Sequence, residues 1–288
     1  MTDRYAVIGH PISHSKSPQI HKMFAEQFKG KPVGDISYEA IDPLLDADPE
    51  TPHEILCAAF RNTVHKLIEQ GYKGCNVTVP FKFEALQLST QKTGRAQAAQ
   101  AVNTLKFEGG TIWGDNTDGF GLERDITKNF GFDMVGKHIL LMGAGGAAHG
   151  VAQPLFNIDA NLAIVNRTVE KARRMIESFD KKHKTTVNTY EDIVGQKFDL
   201  VINATSAGLS DEMPPLPPGI FAPGALAYDM MYGRKTPFMK FALSQGVSKD
   251  RAVDGLGMLV EQAAESFFMW RGIRPKTAPV IAALRKQR

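Results

Sequence analysis

The sequence has few cysteines and no long hydrophobic run. Cys57 and Cys75 are its only cysteines in 288 residues. Two thiols do not make a disulfide framework, so a reducing compartment is expected. No window approaches the roughly 18 apolar residues of a membrane span. The N-terminal segment also lacks the basic stretch and apolar run of a signal peptide. These absences predict a cytoplasmic protein with no role in a membrane.

An excess of one charge is also missing. Lys and Arg number 34 against 31 Asp and Glu, which gives a net charge of +3. A nucleic-acid-binding protein would gather its basic residues on one face. The one dense basic run, Lys181–Lys184, has Glu177 and Asp180 beside it and is typical of a solvated helix end. We therefore expect no nucleic-acid partner, although a modest positive charge helps to attract anionic small molecules.

The first part of the chain predicts an α/β domain with short strands. Ser17-Pro18 indicates a helix start, with Ser17 as the cap and Pro18 at the first helical position. The predicted order is a strand at 5–8, a helix from 17, a strand at 36–41, a helix at 54–70, a strand at 75–79, a single helix at 83–100 and a hairpin about Gly109-Gly110.

A more regular alternation of strands and helices follows. Apolar strands are predicted at 138–142, 162–165, 198–202 and 225–229, with helices between them. Such alternation implies a doubly wound parallel sheet with right-handed crossovers. The fold class is therefore α/β with two domains, the second covering about 121–253.

A glycine-rich turn at the start of the second domain predicts a dinucleotide site. Gly143-Ala144-Gly145-Gly146-Ala147-Ala148 fits G-x-G-x-x-A directly after a predicted strand and at the start of a predicted helix. In this context the glycines permit a tight turn and a close approach to a pyrophosphate, which the helix N-terminus faces.

The end of the next strand distinguishes between the two nicotinamide cofactors. An NAD site usually has Asp or Glu there, to accept from the ribose 2′-hydroxyl. This sequence instead has Asn166, Arg167 and Thr168, with Lys171 nearby. Because a carboxylate would repel a 2′-phosphate and Arg167 would bind it, the sequence predicts NADP.

Two later strand ends are expected to face the same cofactor. Asn203 and Thr205, followed by Ser206, come after one strand, and Met230-Met231-Tyr232 come after the next. In open parallel sheets, ligands bind beyond the carboxyl ends of the strands.

Five motifs, taken in order, resemble the shikimate dehydrogenase family over about residues 5–274. They are Ser13-His-Ser15-Lys-Ser17-Pro18, Asn76-Val-Thr78-Val-Pro-Phe-Lys82, Ala101-Val-Asn103-Thr104, Asn116-Thr-Asp118-Gly119 and Asp254-Gly255-Leu-Gly257-Met-Leu-Val-Glu-Gln262. The resemblance implies an NADP-dependent oxidoreductase that reversibly reduces 3-dehydroshikimate to shikimate in aromatic amino-acid biosynthesis. It also implies that the C-terminal helices return to the first domain, so that residues 1–120 and 254–288 form the substrate domain.

The resemblance further implies a role for individual residues. Ser15 and Ser17 would bind the substrate carboxylate, and Tyr232 and Gly255 would border substrate and nicotinamide. The residues implied to hold the ring hydroxyls are Thr78, Asn103, Asp118 and Gln262, and Lys82 and Asp118 would be the catalytic pair. A cation or proton donor is chemically required there, because hydride arrival puts negative charge on the ketone oxygen.

Two other functions remain open from the sequence. One is a quinate/shikimate dehydrogenase with broader acid or NAD use, against which the serines at 15 and 17 and the Asn-Arg-Thr segment argue. The other is a catalytically silent relative that binds NADP, which would not need Lys82 and Asp118. His10, His14 and His21 lack ligands at matching spacing, so no metal is expected. The sequence does not fix the oligomeric state and leaves room for a homodimer.

Overall fold

The structure, a computed structural model, describes residues 2–45, 48, 51–179, 184–205 and 212–287. The chain divides into two units. Unit 1 comprises the residues up to Thr117 together with Gln262–Gln287, and unit 2 comprises Asp118–Glu261. Lys181–His183 of the basic run lie outside the described residues.

Unit 1 is built on a mixed six-stranded sheet. Its strands are β1 (Asp3–Ile8), β2 (Ile36–Ile41), β3 (Gly74–Val77), β4 (Gln91–Lys92), β5 (Thr104–Glu108) and β6 (Thr111–Asp115), in the order β2-β1-β3-β5-β6-β4. Its helices are α1 (Ser17–Glu26), α2 (His53–Glu69), α3 (Lys82–Leu88), α4 (Gly94–Ala99) and, after unit 2, α10 (Ala278–Arg285). A buried core that includes Ile8, Phe60, Phe81 and Leu105 lies against this sheet.

The predicted hairpin is confirmed. Strands β5 and β6 pair antiparallel, with Glu108 opposite Thr111. Gly109 and Gly110 between them have φ of +58° and +77°. Positive φ at both central residues is what a two-residue hairpin turn requires, and glycine adopts it at no steric cost.

The single helix predicted over 83–100 is wrong. The segment forms α3, the short strand β4 and α4, because the backbone between the helices pairs with β6: Thr90 N–H donates to Ile112 O at 2.9 Å and Thr93 N–H to Gly114 O at 3.0 Å. Thr93 Oγ1 then accepts from Ala96 N–H and caps α4. Tertiary pairing has overridden a helical sequence pattern here.

The cap predicted at Ser17 is also wrong. Ser17 is the first helical residue of α1, and the residue at the cap position is Lys16, whose side chain makes no capping hydrogen bond within the described chain. The N–H of Ser17 donates to the Oγ of Ser15 at 3.2 Å, so the two serines are joined to each other.

Unit 2 is a doubly wound parallel sheet, as predicted. Its strands are β7 (His138–Met142), β8 (Asn161–Val165), β9 (Thr185–Asn188), β10 (Phe198–Asn203), β11 (Phe221–Asp229) and β12 (Ala252–Asp254), in the order β9-β8-β7-β10-β11-β12. All neighbouring strands are parallel. The chain order reverses beside β7, which is the topological switch point of a dinucleotide-binding sheet.

The helices of unit 2 precede or connect these strands. They are α5 (Asp118–Arg124), continued by a π-helical turn (Asp125–Asn129), and α6 (Gly146–Asn157), α7 (Val169–Glu177) and α8 (Pro237–Ser244). The long helix α9 (Leu256–Arg271) contains the division between the units. Strands β9 and β12, of four and three residues, were not predicted because they are too short to show a period.

Within the described residues, every helix is too short or too polar to cross a membrane.

Candidate active site

Two predicted substrate-binding amides meet in unit 1. The Nδ2 of Asn103 donates to the Oε1 of Gln262 at 3.3 Å and to the Oγ1 of Thr117 at 2.9 Å. The Oδ1 of Asn103 accepts from the backbone N–H of Thr117 at 2.9 Å. Asn103 is 3% exposed and Gln262 9% exposed, so hydrogen bonds fix the orientation of both amides in a buried site.

The sequence did not single out the residues behind these amides. Ser266 lies one helical turn after Gln262 and shares a hydrogen bond with Thr104 Oγ1 at 2.8 Å. Asn76 Nδ2 donates to both of these hydroxyls, and Asn76 Oδ1 accepts from Tyr38 at 2.7 Å. The sequence could have indicated these residues in two ways. Asn76, Thr104 and Thr117 lie inside the motifs quoted above, and Ser266 lies on the same helix face as Gln262.

The imidazole of His21, a residue of α1, borders this network. His21 is fully buried, and its ring stacks on Tyr38 at 4.1 Å between centroids. Burial lowers the pKa of His21 to about 3, so the ring is neutral at neutral pH. His10, the first of the three N-terminal histidines, lies 2.8 Å from Asp42 through Nδ1.

Charged side chains hold the strand that leads to Thr117. Arg95 donates from Nε and Nη2 to the two carboxylate oxygens of Asp115, at 2.7 and 2.5 Å, and from Nη2 to Glu265 at 2.9 Å. Burial opposes the charge of Arg95, but Asp115 and Glu265 together raise its pKa. Arg274 also pairs with Glu265. The backbone carbonyl of Asp115 accepts from Asn103 N–H, which links the ion pairs to the amide site.

The remaining predicted residues of unit 1 lie at strand and helix ends. Thr78 follows β3, and its N–H donates to Ile8 O at 2.9 Å. Lys82 is the half-buried first residue of α3, and its carbonyl accepts from Val102 N–H at 2.9 Å, next to Asn103. Ser15 is half-buried and Ser17 buried at the start of α1.

In unit 2 the glycine-rich turn has the shape of a pyrophosphate cradle. Gly143 has φ of +107°, and a Cβ there would lie 3.0 Å from Ala204 O. Gly145 is the N-cap of α6 and has no side chain with which to cap it. A Cβ added at Gly145 would meet no described atom within 4 Å. Gly146 begins α6, and Ala144 and Ala147 leave the approach open. Helix N–H groups facing open space fit a pyrophosphate.

The end of β8 fits a 2′-phosphate. Arg167, Thr168 and Lys171 are exposed where β8 passes into α7, and the Nδ2 of Asn166 donates to Thr168 O at 2.8 Å. No carboxylate stands among these four residues. Their donors and positive charge match a phosphate and leave a 2′-hydroxyl without its usual acceptor.

The ends of β10, β11 and β12 carry the other residues that the sequence predicts to face the cofactor. The Oδ1 of Asn203 accepts from Thr205 Oγ1 at 2.7 Å, and Met230 N–H donates to Asn203 O at 3.0 Å. Gly255 N–H donates to Met231 O at 2.9 Å, and a Cβ at Gly255 would overlap Met230 O. Burial raises the pKa of Tyr232. Ser206 lies outside the described residues.

Buried carboxylates support these loops. Asp229 accepts from Thr236 Oγ1 at 2.5 Å and from Met231 N–H at 3.0 Å, and burial raises its pKa. Asp118 is the buried first residue of α5. The predicted catalytic residues thus belong to different units, with Lys82 in unit 1 and Asp118 in unit 2.

Comparison with known proteins finds family matches in both units. Residues 7–105 match the shikimate dehydrogenase substrate binding domain, 125–210 the shikimate / quinate 5-dehydrogenase family, and 255–285 the shikimate 5′-dehydrogenase C-terminal domain. The NADP(+) shikimate dehydrogenases of Nitrosospira multiformis and Methylobacillus flagellatus are 55% and 53% identical to the chain. They cover 99% and 98% of it, and the matches span 98% and 99% of their own lengths.

A solved structure extends this likeness to three dimensions. Shikimate 5-dehydrogenase from Thermus thermophilus, in complex with NADP(H) and shikimate, is 30% identical to the chain. It superimposes with a TM-score of 0.80, and the match covers 99% of both chains.

Proposed function

The chain belongs to the shikimate dehydrogenase family, and we propose that the residues described above carry out its reaction, the reversible NADPH-dependent reduction of 3-dehydroshikimate to shikimate. It is an NADP-dependent oxidoreductase of aromatic amino-acid biosynthesis. The observation that carries the site assignment is the buried amide pair Asn103 and Gln262. Two amides fixed by their neighbours present donors and acceptors at set positions, which is what recognition of several ring hydroxyls requires.

We assign most of the substrate-binding residues to unit 1; Asp118 and Tyr232 belong to unit 2. Ser15 and Ser17, joined to each other at the start of α1, bind the carboxylate of the substrate. Thr78, Asn103 and Gln262 bind its ring hydroxyls, together with Asp118. Tyr232 borders the substrate and Gly255 the nicotinamide.

We assign the cofactor side to unit 2. Gly143, Ala144, Gly145, Gly146 and Ala147 hold the pyrophosphate at the N-terminus of α6, and Asn166, Arg167, Thr168 and Lys171 hold the 2′-phosphate. The remaining residues that we assign to cofactor binding lie at strand ends: Asn203, Thr205 and Met230. When bound, the cofactor supplies the hydride that the ketone carbon accepts.

Lys82 and Asp118 handle the proton in this proposal. The ammonium of Lys82 donates a hydrogen bond to the ketone oxygen, where negative charge develops, and passes a proton to it. Asp118 orients that amine and accepts from the neighbouring ring hydroxyl. In the reverse direction Lys82 takes up the proton as shikimate is oxidised.

Spectrophotometry at the NADPH absorbance band tests the proposal. Shikimate with NADP+ should be oxidised, and Lys82→Ala should lower kcat by about 10²–10⁴-fold, the usual contribution of a positioned general acid. NADP affinity should stay near the wild-type value. If Lys82→Ala kept the wild-type kcat, the proton-donor role assigned to Lys82 would be wrong.

The same assay separates the alternatives. Quinate and NAD+ are offered in turn, and a preference for either would favour the broader quinate/shikimate dehydrogenase. Light scattering of the same preparation would determine whether the protein is a homodimer, which the sequence admits. A cytoplasmic location is part of the proposal, since both cysteines are buried free thiols.

A further inference from the structure

Helix α5 and the turn after it carry one buried carboxylate at each end. Asp118 opens the helix and is 6% exposed, and Asp125 begins the π-helical turn and is 0% exposed. Each carboxylate lies against a glycine of another helix of unit 2, Gly150 in α6 and Gly257 in α9.

The far end of this element is firmly anchored. The carboxylate of Asp125 accepts from Tyr228 Oη at 2.6 Å and from Asn129 Nδ2 at 2.8 Å. A Cβ built on Gly257 would come within 2.5 Å of this carboxylate. Arg124 adds an ion pair to Glu261 at 2.9 Å. A carboxylate beside the first turn of α9 is also favoured by the helix dipole.

The near end is packed backbone to backbone. A Cβ on Gly119 would lie 2.9 Å from both Gly150 O and Pro154 Cδ. Since carbon atoms pack at about 3.5–4.0 Å, α5 has no room to move toward α6. Since the Asp125 end is hydrogen-bonded as well, α5 is packed at both ends.

The contact between Asp118 and Gly150 differs from these. A Cβ on Gly150 would lie 2.9 Å from Asp118 Oδ2, 3.2 Å from its Cβ and 3.5 Å from its Cγ. The closest atom lies at the far end of a side chain that rotates about two bonds. Turning the carboxylate would relieve the contact with Oδ2, and the contact with the Asp118 Cβ at 3.2 Å would ask for a further shift of only a few tenths of an ångström. The cost would fall on the direction of Asp118 and much less on the fold.

We propose that Gly150 is a positioning residue for the hydride-transfer reaction: its missing side chain leaves the notch in α6 that sets the direction of the Asp118 carboxylate. The inference rests on the proposed catalytic role of Asp118. It assigns to the dinucleotide helix a second task besides binding phosphate, because the helix that faces the cofactor also fixes a group that orients the proton donor.

Gly150→Ala tests the proposal, with Gly94→Ala as the matched control. Gly94 is also a helical glycine, and a Cβ there would meet nothing within 4 Å. A misplacement of about 1 Å at a reacting group costs roughly 10²-fold. We expect kcat of Gly150→Ala to fall by about that factor, with the KM for NADP+ within about twofold of wild type. Gly94→Ala should keep wild-type kcat.

A double-mutant cycle with Asp118→Asn identifies the route of the effect. If Gly150 acts through Asp118, adding Gly150→Ala to Asp118→Asn should lower kcat by less than about twofold more, since coupled residues do not add. Losses that multiply would overturn the proposal, as would full kcat in Gly150→Ala. So would a large fall in melting temperature with unchanged kcat, which marks a purely structural glycine.

The failure of the proposed function would look different. If Asp118→Asn alone kept wild-type turnover, the catalytic assignment of Asp118 would be wrong and this inference would be overturned with it. If Asp118→Asn lowered turnover and Gly150→Ala did not, the function would stand and only the positioning role would be lost.

Discussion

The two units bury different kinds of polar group. In unit 1 most of the buried polar side chains are neutral amides and hydroxyls, among them Asn76, Asn103, Thr104, Thr117 and Ser266. In unit 2 most are carboxylates: Asp118, Asp125, Asp229, Asp254 and Glu261. The difference follows from their partners. Amides and hydroxyls both donate and accept, so they suit a site for a polyhydroxylated ring. An ionised carboxylate only accepts, and in unit 2 its partners are donors such as Tyr228 Oη, Thr236 Oγ1 and Met231 N–H.

Unit 1 does contain one buried charged cluster, and it should give the largest effect on stability. Arg95→Met leaves the carboxylates of Asp115 and Glu265 without this partner, so we expect a loss of roughly 3–5 kcal/mol in the free energy of unfolding of unit 1. Both tryptophans, Trp113 and Trp270, belong to unit 1, so tryptophan fluorescence in urea reports on it.

The matched control for that prediction is Arg173→Met in unit 2, where Arg173 forms an exposed pair with Glu170 at 3.7 Å. It should cost only about 0.2–1 kcal/mol. Equal losses in the two variants would mean that the Arg95 cluster contributes no more than a surface pair.

The proposed phosphate-binding residue of unit 2 should give the next largest effect. Arg167→Ala would remove the hydrogen bonds assigned to the 2′-phosphate, which at a charged group are worth about 1.5–3 kcal/mol. We expect the KM for NADP+ to rise by roughly 10- to 150-fold, with the KM for NAD+ and for shikimate little changed. Equal losses with both cofactors would contradict the 2′-phosphate assignment.

A substitution in unit 1 tests the substrate-binding assignment in the same way. Asn103→Ala would leave the ring hydroxyl that we assign to Asn103 without its partner in the complex, a cost of about 1–3 kcal/mol. We expect kcat/KM for shikimate to fall accordingly, while the dissociation constant of NADPH, measured by fluorescence titration, stays at the wild-type value. A comparable loss in cofactor affinity would show that the two sets of residues do not divide the ligands as proposed.

The smallest predicted effect is a loss of stability in acid. It arises from His21, whose buried imidazole is neutral in unit 1. The pKa of His21 is about 3 in the folded state, against about 6.5 when unfolded. As pH falls below 6.5 the unfolded chain takes up a proton that the folded chain does not, so stability is lost between those two values. From pH 7.5 to 5.5 this amounts to about 1.4 kcal/mol.

His21→Phe should remove that share of the pH dependence. Urea unfolding of both proteins at the two pH values, followed by tryptophan fluorescence, provides the measurement. An identical pH dependence in the variant would mean that His21 does not carry the proton uptake.

The sequence predicted unit 2 more completely than unit 1, for physical reasons. Strands β7, β8, β10 and β11 are apolar runs ended by turn residues, and βα alternation admits few topologies. Arg167 could be assigned to NADP because its position after β8 follows from that topology. Strands β9 and β12 were missed because they exist only through pairing with their neighbours.

In unit 1 the predictions failed where long-range contacts decide local structure. The helix over 83–100 is interrupted because β6 supplies hydrogen-bond partners for β4, which no local pattern shows. The residues of the amide network lie in recognised motifs, but their hydrogen bonds join positions up to 190 residues apart, as for Asn76 and Ser266. Motif likeness identified Asn103 and Gln262, and only the fold shows what orients them.

The discontinuity of unit 1 also bears on how the chain folds during its synthesis. Asn103 and Gln262, which are hydrogen-bonded in the folded protein, are 159 residues apart in sequence. At translation rates of about 5–20 residues per second, the first waits roughly 10–30 s for the second to be made. The parallel sheet of unit 2 is encoded entirely within that interval. We therefore expect ribosome-bound chains in which Glu261 has just left the exit tunnel to protect unit 2 from proteolysis while unit 1 is still cleaved, so that the segment translated first is the one that matures last.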